Sequence, residues 1–407
     1  MKKKWFVFLL CLLLTGCGVK DSTLHALVSV NLMRDIPQAD TIYAPLTADA
    51  SRAITDFSQS LLLNSIPEQE NTLLSPLSVL NALAMTANGA ANKTLAEMET
   101  AFGAPLDTLN QTLSQYQALE QEVFTVCNSI WLRDDDRLNV EDAFLQTNAD
   151  YYHADVFRTP MDESTVQDIN NWISGSTKNR IPELIREIPK GTNLYLVNAL
   201  TFDGKWLKPY TKEQIRQETF THDDGTTQSV KLMYDSCGTY LEDAYATGFM
   251  KNYKGGRYVF AALRPNDGVT VDQYLDTLQE GSLYELLLHG QNTSVSTAIP
   301  KFEVKYETHL DDALQDMGMT DIFDPRTADL SGISSTPLYI STVLHGTYIT
   351  VDETGTKATA VTAVPAPEAA PAQKKPKIVY LDKPFVYLIW DQIDQIPLFI
   401  GVMREIP

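Results

Sequence analysis

Residues 51–407 combine two kinds of hydrophobic pattern, and no stretch among them divides the chain convincingly into domains. Early on, apolar side chains recur at the spacing of amphipathic helices, in the sets Ile54, Phe57, Leu61 and Leu62, and Val79, Leu80, Leu83 and Ala84. Later segments alternate in polarity or are rich in β-branched residues, as strands are: 123–131, 194–202, 258–263, 297–306, 347–351 and 386–390. Because helices and strands are mixed in this way, we predict one large domain of the α+β class.

The composition is that of a globular protein with a large negative charge. Hydrophobic residues make up 44% and charged residues 21% of the chain, which excludes collagen-like, disordered and coiled-coil proteins. The 32 Lys and Arg against 52 Asp and Glu give a formal net charge of −20, and no basic cluster reverses it locally. Such a chain repels polyanions, so we expect no nucleic-acid partner.

The N-terminus resembles the signal of bacterial lipoproteins. Lys2 to Lys4 precede the apolar run 5–14, which is too short to span a bilayer (about 20 residues) but suits a secretory signal. The sequence Leu14-Thr15-Gly16-Cys17 then resembles a lipobox, and the alternative is an ordinary signal peptide with a chance cysteine. The resemblance implies that residues 1–16 are removed and that Cys17 is acylated.

On this interpretation the mature protein is secreted, lipid-anchored at the outer face of a bacterial membrane, and exposed to the extracellular medium. The lipid would be its only membrane contact, and two or more acyl chains suffice for stable anchoring. Residues 17–50 lack strong periodicity and contain Pro37 and Pro45, so we predict an acylated N-terminus and a spacer before the domain at 51–407.

Two cysteines remain in the domain once Cys11 leaves with the signal and Cys17 is lipidated. Cys127 and Cys237 could pair in an oxidising exterior, but their spacing gives no support, and we favour two buried thiols. The chain has no Cys-x-x-Cys and no His-Glu-x-x-His motif. We therefore predict no metal site and no cofactor.

Six segments of the chain, in one order, resemble segments of the serpin family. They are 71–90, 198–206, 300–302, 310–323, 328–333 and 383–401. The second of them, for example, is similar to the family's Asn-Ala-x-x-Phe-x-Gly-x-Trp strand. The resemblance covers about 51–407 and implies the serpin fold: a large central mixed β-sheet, further sheets, about eight to nine helices and an exposed reactive-centre loop, here 352–382.

Residues 352–362 resemble the hinge of inhibitory serpins, which has Glu-x-Gly-Thr followed by small residues; here these include Glu353 and Gly355. Alternate residues of a strand face opposite sides, so an inserted hinge would present only small side chains on one face: Thr356, Ala358, Ala360 and Thr362. The one charge, Lys357, falls on the other face, and no proline interrupts residues 352–364. The pattern predicts a segment that can insert into a sheet; the alternative is a solvated Ala/Pro linker.

The resemblance implies a suicide inhibitor and not an enzyme. A serine protease, or a cysteine protease, attacks the exposed loop as a substrate, and the cleaved loop then inserts as a new strand while the acyl-enzyme is still intact. About fifteen inserted residues would carry the protease roughly 50 Å. Pro365 and Pro367 depart from the family pattern, and we expect them to slow complete insertion and raise the fraction cleaved as plain substrate. We expect a monomer.

The resemblance also assigns structural roles around the sheet. Four residues match the shutter, a polar cluster beneath the sheet that must open for insertion: Ser75, Ser78, Asn198 and His345. Two residues match the breach, where insertion starts: Trp206 and Lys301. We predict an ion pair between Lys301 and Glu353 that holds the base of the loop.

Two counts locate the scissile bond differently. Counting forward from Gly355 by the family's hinge length gives Ala369-Ala370, which we prefer and which would suit elastase- or subtilisin-like proteases. Counting back from 383–384 gives a bond near Gln373-Lys374, and a different protease, for example one that cuts after Lys374.

Two other classes of function fit the sequence less well. A hydrolase is disfavoured because the chain has no Gly-x-Ser-x-Gly elbow, P-loop or Gly-x-Gly-x-x-Gly motif. A non-inhibitory serpin-fold surface binding protein would be favoured by bulky or charged residues at 356, 358, 360 and 362, which are absent. An obligatory polyanion cofactor is disfavoured by the acidic region 92–120.

Overall fold

A computed structural model of the protein describes residues 28–67, 69–119, 123–279, 281–356 and 376–407. Within those ranges there are nine α-helices: α1 (Ala48–Ser65), α2 (Pro76–Ala87), α3 (Asn92–Phe102), α4 (Leu106–Gln117), α5 (Asp142–Tyr152), α6 (Glu163–Ser176), α7 (Val271–Leu275), α8 (Ser282–Leu288) and α9 (Asp311–Asp316). None of the helices in the described ranges is long and apolar enough to cross a membrane.

The described residues form seventeen strands. They are β1 (Val30–Asn31), β2 (Thr72–Leu74), β3 (Phe124–Arg133), β4 (Asp155–Thr159), β5 (Leu194–Phe202), β6 (Gly204–Lys205), β7 (Ile215–Thr221), β8 (Thr227–Glu242), β9 (Ala246–Asn252), β10 (Tyr258–Pro265), β11 (Gln291–Pro300), β12 (Phe302–His309), β13 (Ile340–Val351), β14 (Gly355–Thr356), β15 (Lys377–Tyr380), β16 (Phe385–Asp391) and β17 (Ile396–Met403).

The strands build two sheets. In the first, which we call the central sheet, the order is β1-β4-β3-β5-β13-β14-β6, and β12 pairs with the other edge of β13. In the second sheet the order is β15-β11-β8-β9-β10-β16-β17-β2, with β7 beside β8. The central sheet is mixed, because β3 and β4, and β5 and β13, run parallel while the other pairs are antiparallel. The α+β class and the large mixed central sheet predicted from the sequence are confirmed.

Helix α2 lies between the two sheets and is buried along its whole length. It begins at Pro76, which suits the first turn because that position has no intrahelical acceptor for an N–H. Its apolar residues are not confined to one stripe, which is what a helix surrounded by protein requires. It packs against β3 and β5 of the central sheet and β17 of the second sheet, and so supports the centre of the central sheet from below.

The N-terminal segment differs from the spacer predicted over 17–50. Of that range the structure describes residues 28–50, and they pack on the domain: β1 pairs with β4, and α1 begins at Ala48. The backbone N–H and hydroxyl of Ser29 both donate to Oδ2 of buried Asp168, over 2.7 and 2.6 Å. Such isolated polar contacts leave no periodicity in the sequence, which is why the pattern did not indicate them.

Two further boundaries differ from the sequence predictions. The segment 297–306, predicted as one strand, is two: the chain leaves the second sheet after β11 and joins the central sheet as β12, with Lys301 at the crossing. The predicted loop 352–382 is shorter at both described ends, because β14 and β15 lie inside it. Cys127 is buried and Cys237 is half-buried, and neither forms a disulfide.

Candidate functional site

The hinge segment, residues 352–356, turns at the end of β13 and returns as β14. Thr356 pairs with Val351 of β13 on one side and with Gly204 of β6 on the other. Because β6 follows β5 almost directly in the chain, β14 lies between β13 and the extension of β5, just beyond the last residues at which β5 and β13 pair. The side chain of Thr356 is fully buried, and its Oγ1 lies 2.6 Å from the hydroxyl of Tyr253.

Gly355 is required by a close approach of two main chains. Its φ is 153°, and a Cβ at this position would lie 2.1 Å from the carbonyl oxygen of Gly204. Any larger residue would push β14 away from β6. The turn before it is closed by Asp352, whose Oδ1 accepts from the backbone N–H of Thr354 over 2.7 Å.

Aromatic residues hold the main chain of the hinge. The backbone N–H of Trp206 donates to the carbonyl of Thr354 over 3.0 Å, and its indole Nε1 donates to the carbonyl of Asp352 over 2.8 Å. The backbone N–H of Tyr210 donates to the carbonyl of Glu353 over 2.8 Å. The ring of Trp206 stacks on Tyr253 with centroids 4.5 Å apart. We call Trp206, Tyr210 and Tyr253 the hinge anchor.

Lys301 and Glu353 form an ion pair beside the anchor, the contact predicted from the sequence. The hydrogen bond from Lys301 holds the pKa of Glu353 below its ordinary value, although burial opposes this. The two side chains are 30% and 39% exposed, so solvent screens the pair. The crossing between β11 and β12 places Lys301 here, and its backbone N–H donates to the carbonyl of Lys231 on β8.

The four predicted shutter residues lie beneath the middle of the central sheet, and all are fully buried. His345 on β13 is opposite Asn198 on β5. The backbone N–H of Ser75 donates to Nε2 of His345 over 3.0 Å, so Nδ1 holds the ring proton and donates to Oδ1 of Asn198. Ser78 Oγ lies 3.3 Å from the side-chain amide of Asn128, the residue of β3 that faces Asn198.

Burial lowers the pKa of His345 to about 3, so the ring is neutral at physiological pH. A neutral ring agrees with one nitrogen accepting from Ser75 and the other donating to Asn198. The histidine therefore serves here as a satisfied polar link between β5, β13 and the start of α2, where Ser75 lies, rather than as an acid or base. Thr347 adds a second link, because its Oγ1 donates to the carbonyl of Leu73 over 2.8 Å.

The central sheet is closed above the shutter. β5 and β13 pair with each other in parallel from Leu194 and Ile340 to Thr201 and Tyr348. A strand entering between them would have to break these backbone hydrogen bonds and the link between His345 and Asn198. We call the line along which β5 and β13 pair the seam. The hinge lies at one end of the seam, where β14 is the only described strand between β13 and β6, the strand that follows β5.

Several predicted site residues lie outside the described residues. They are Ala358, Ala360 and Thr362 of the hinge, both candidate scissile bonds (Ala369-Ala370 and Gln373-Lys374), and Cys17. The described part of the site holds Glu353, Gly355 and Thr356 together with the breach residues. Among the described residues, no group of three or more His, Cys, Asp or Glu side chains could hold a metal ion.

Comparison with known proteins gives the family. A family model described as serpin (serine protease inhibitor) matches residues 52–406. The chain belongs to the serpin family. Members of this family are generally protease inhibitors rather than enzymes. This serpin is 31% identical over 352 residues to an alpha-1-antitrypsin-like protein of Tamias sibiricus, covering 81% of this chain and 82% of that protein.

Two solved structures of a thermophilic serpin, tengpin, are also similar to this serpin. The native-state structure has a TM-score of 0.87 at 38% identity, and the match covers 93% of this chain and 100% of the tengpin chain. The latent-state structure has a TM-score of 0.77 at 35% identity and covers 90% of this chain and 100% of that one. The likeness is therefore greater to the native state.

Sequence reasoning missed part of the site of this serpin. It named Trp206 but not Tyr210, Tyr253 and Lys251, which contact its indole ring, nor Asp235, which accepts a hydrogen bond from Lys251. Tyr210 acts through its main chain, so no side-chain pattern marks it. Lys251 did leave a signal, because it is a lysine directly after two apolar residues in a strand, Phe249 and Met250.

Proposed function

We propose that this serpin is inhibitory and traps its target protease by inserting its cleaved loop into the central sheet. The observation that supports this most is the position of Thr356. It is a small, buried residue, already paired between β13 and β6 at the end of the closed β5–β13 seam. Because Thr356 is already paired at the end of the seam, the residues that follow it can add to the sheet from that position without a separate step that sets their register.

The chemistry comes from the target. The nucleophile of the protease attacks the carbonyl carbon of the residue before the scissile bond, the peptide bond breaks, and the amine of the next residue leaves with a proton. This serpin contributes the substrate loop and a sheet that gains a strand. Insertion before deacylation would keep the ester intact, because it moves and distorts the bound protease.

The target class follows from which bond is cut. We infer an elastase- or subtilisin-like serine protease, because Ala369 at the primary position suits a small apolar pocket. Cleavage near Gln373-Lys374 would point to a different protease, such as one that cuts after Lys374. The two possibilities are separated by the mass of the released C-terminal peptide.

The test is to mix the full chain, purified in detergent, with elastase, subtilisin, trypsin and papain. Denaturing gels detect adducts, and mass spectrometry identifies the released peptide. We expect a denaturant-resistant band at the summed mass with elastase or subtilisin. Loop cleavage without an adduct by any of the four, and without a gain in thermal stability, would reject inhibition and favour a non-inhibitory binding protein.

We further propose that Cys17 is acylated and anchors this serpin at the outer face of a bacterial membrane. The proposal rests on the lipobox resemblance at 14–17. Cells fed a labelled fatty acid should label the wild-type chain in the membrane fraction. Cys17→Ser should abolish the label and release the protein, whereas Cys11→Ser should leave the label in place. Retention of unlabelled wild-type protein in the cytoplasm would overturn the proposal.

A further inference from the structure

A buried ion pair lies next to the hinge anchor. Nζ of Lys251 on β9 donates to Oδ2 of Asp235 on β8 over 2.7 Å, and both side chains are 6% exposed. Burial alone would raise the pKa of Asp235, but the adjacent ammonium of Lys251 outweighs it and holds that pKa below its ordinary value. A second lysine, Lys208, is 66% exposed, and its Nζ lies 3.6 Å from Oδ1 of Asp235.

The ammonium of Lys251 also contacts two members of the anchor. Its Nζ lies 4.5 Å from the ring centroid of Tyr210 and 5.5 Å from that of Trp206, within the range of cation–π attraction. These are the two residues whose N–H groups donate to the carbonyls of residues 352–354. The buried ammonium of Lys251 therefore contacts the side chains of both residues that donate hydrogen bonds to the hinge carbonyls.

Stability by itself does not account for such a pair. Two charges removed from water lose much of their hydration free energy, and apolar residues of similar volume at such positions often stabilise a fold equally well. A buried pair does, however, fix geometry, since each charge accepts only positions close to its partner. Here Asp235 fixes the ammonium of Lys251, and the ammonium lies against the rings of Trp206 and Tyr210.

We propose that Lys251 is a positioning residue for loop insertion: held by Asp235, it keeps Trp206 and Tyr210 in the arrangement that binds the hinge carbonyls. This inference deepens the proposed function and rests on it for its inhibitory consequence. When the anchor is loosened, Thr356 loses its fixed place between β13 and β6, so insertion starts later relative to deacylation. More of the protein is then cleaved as a plain substrate.

The chain offers a matched control. Lys251→Met keeps a similar volume and removes the cation that touches the rings. Lys208→Met removes a cation near the same carboxylate, but from an exposed side chain that does not touch the rings. A second test variant, with Asp235→Asn and Lys251→Met together, removes both buried charges and leaves no unpaired carboxylate should the single variant fold poorly.

The first readout is hydrogen exchange of the backbone amides of Trp206 and Tyr210, followed by mass spectrometry. Without the cation–π contacts, we expect exchange about fivefold faster or more in Lys251→Met and in the double variant. In Lys208→Met these two amides should exchange at the wild-type rate. The amides of β10 should exchange at the wild-type rate in every variant. Unchanged exchange at Trp206 and Tyr210, or an equal increase throughout the chain, would overturn the proposal.

The second readout is the number of inhibitor molecules consumed for each protease trapped. We expect this stoichiometry to rise about twofold or more in Lys251→Met and to stay at the wild-type value in Lys208→Met. An unchanged or lower value in Lys251→Met would overturn the insertion part of the proposal. A wild type that forms no adduct would reject the proposed function instead, and the exchange measurement would still judge whether Lys251 positions the anchor.

Discussion

His345 on β13 and Asn198 on β5 lie opposite each other, and Nδ1 of the imidazole donates to Oδ1 of the amide over 2.5 Å. The pair joins the two strands that the proposed loop insertion would separate. Because the ring is fully buried and its pKa is lowered to about 3, the link depends on a neutral histidine. The stability of the closed sheet is therefore tied to pH.

The first prediction concerns that pH dependence. The unfolded chain binds a proton at His345 with a pKa of about 6.5, whereas the folded protein binds it only near pH 3, so this group's contribution to stability is present above pH 6.5 and is lost as pH falls towards 3. At pH 5 the loss amounts to about 2 kcal/mol. Urea unfolding at pH 7.5 and pH 5 would measure it.

His345→Gln is the control for this effect, because glutamine does not titrate. Other ionisable groups change stability with pH in both proteins, so the difference between the two pH dependences isolates His345. We expect the wild type to lose about 2 kcal/mol more than the variant between pH 7.5 and pH 5. Parallel pH dependences would show that the burial of this ring does not control the stability of the sheet.

The second prediction concerns Thr356, whose side chain is buried and bonded to Tyr253. Thr356→Arg would place a charged side chain where there is no space and no partner, so the hinge could not enter the seam. We expect adduct with the target protease to fall at least about tenfold while loop cleavage continues. Gel quantification of adduct and cleaved chain measures both.

Thr356→Ser serves as the matched variant, since it is smaller and keeps the hydroxyl group that bonds to Tyr253. It should form adduct at nearly the wild-type level. Equal adduct from the Arg and Ser variants would mean that insertion does not pass through this position.

The third prediction concerns the ion pair of Lys301 with Glu353. Glu353→Gln removes the charge of a partly exposed pair, so we expect the free energy of unfolding to fall by at most about 1 kcal/mol. The rate of loop insertion without protease should rise, because the base of the loop is held less firmly. Thermal unfolding and native gels over time would measure the two effects.

Glu187→Gln is a suitable comparison, because it removes one negative charge from an exposed site away from the hinge. It should change neither quantity. If Glu353→Gln also leaves the insertion rate and the melting temperature unaltered, the ion pair has no role in holding the loop.

The fourth prediction concerns the N-terminal segment. Asp168 is buried and accepts two hydrogen bonds from Ser29, so Asp168→Asn would weaken the attachment of β1 to the central sheet. We expect a loss of about 1–3 kcal/mol in the free energy of unfolding and faster hydrogen exchange at residues 29–31. The exposed Asp136→Asn should change neither value, and wild-type exchange at residues 29–31 in Asp168→Asn would contradict the prediction.

Much of the fold could be predicted from local patterns. The strand predicted at 194–202 is β5 with the same bounds, and the helical spacing after Ile54 lies within α1. Helix α1 is buried along one face, whose period the sequence displays directly, whereas β5 is buried at every residue. The prediction over 297–306 merged two strands, because apolar periodicity continues through Lys301 while the chain crosses from one sheet to the other.

The sequence by itself determined the α+β class, the family and the small side chains of the hinge, because these depend on residue type and on spacing along the chain. Only the tertiary structure decided that Thr356 is already paired beside the closed seam, that the segment from residue 28 packs on the domain, and that Lys251 lies behind Trp206 and Tyr210. Lys251 lies 41 and 45 positions from Tyr210 and Trp206 in the chain, and the pairs Ser29–Asp168 and Gly204–Thr356 are each more than 100 positions apart. No local pattern encodes them, since they arise from how elements that are distant in the chain pair and pack in the folded domain.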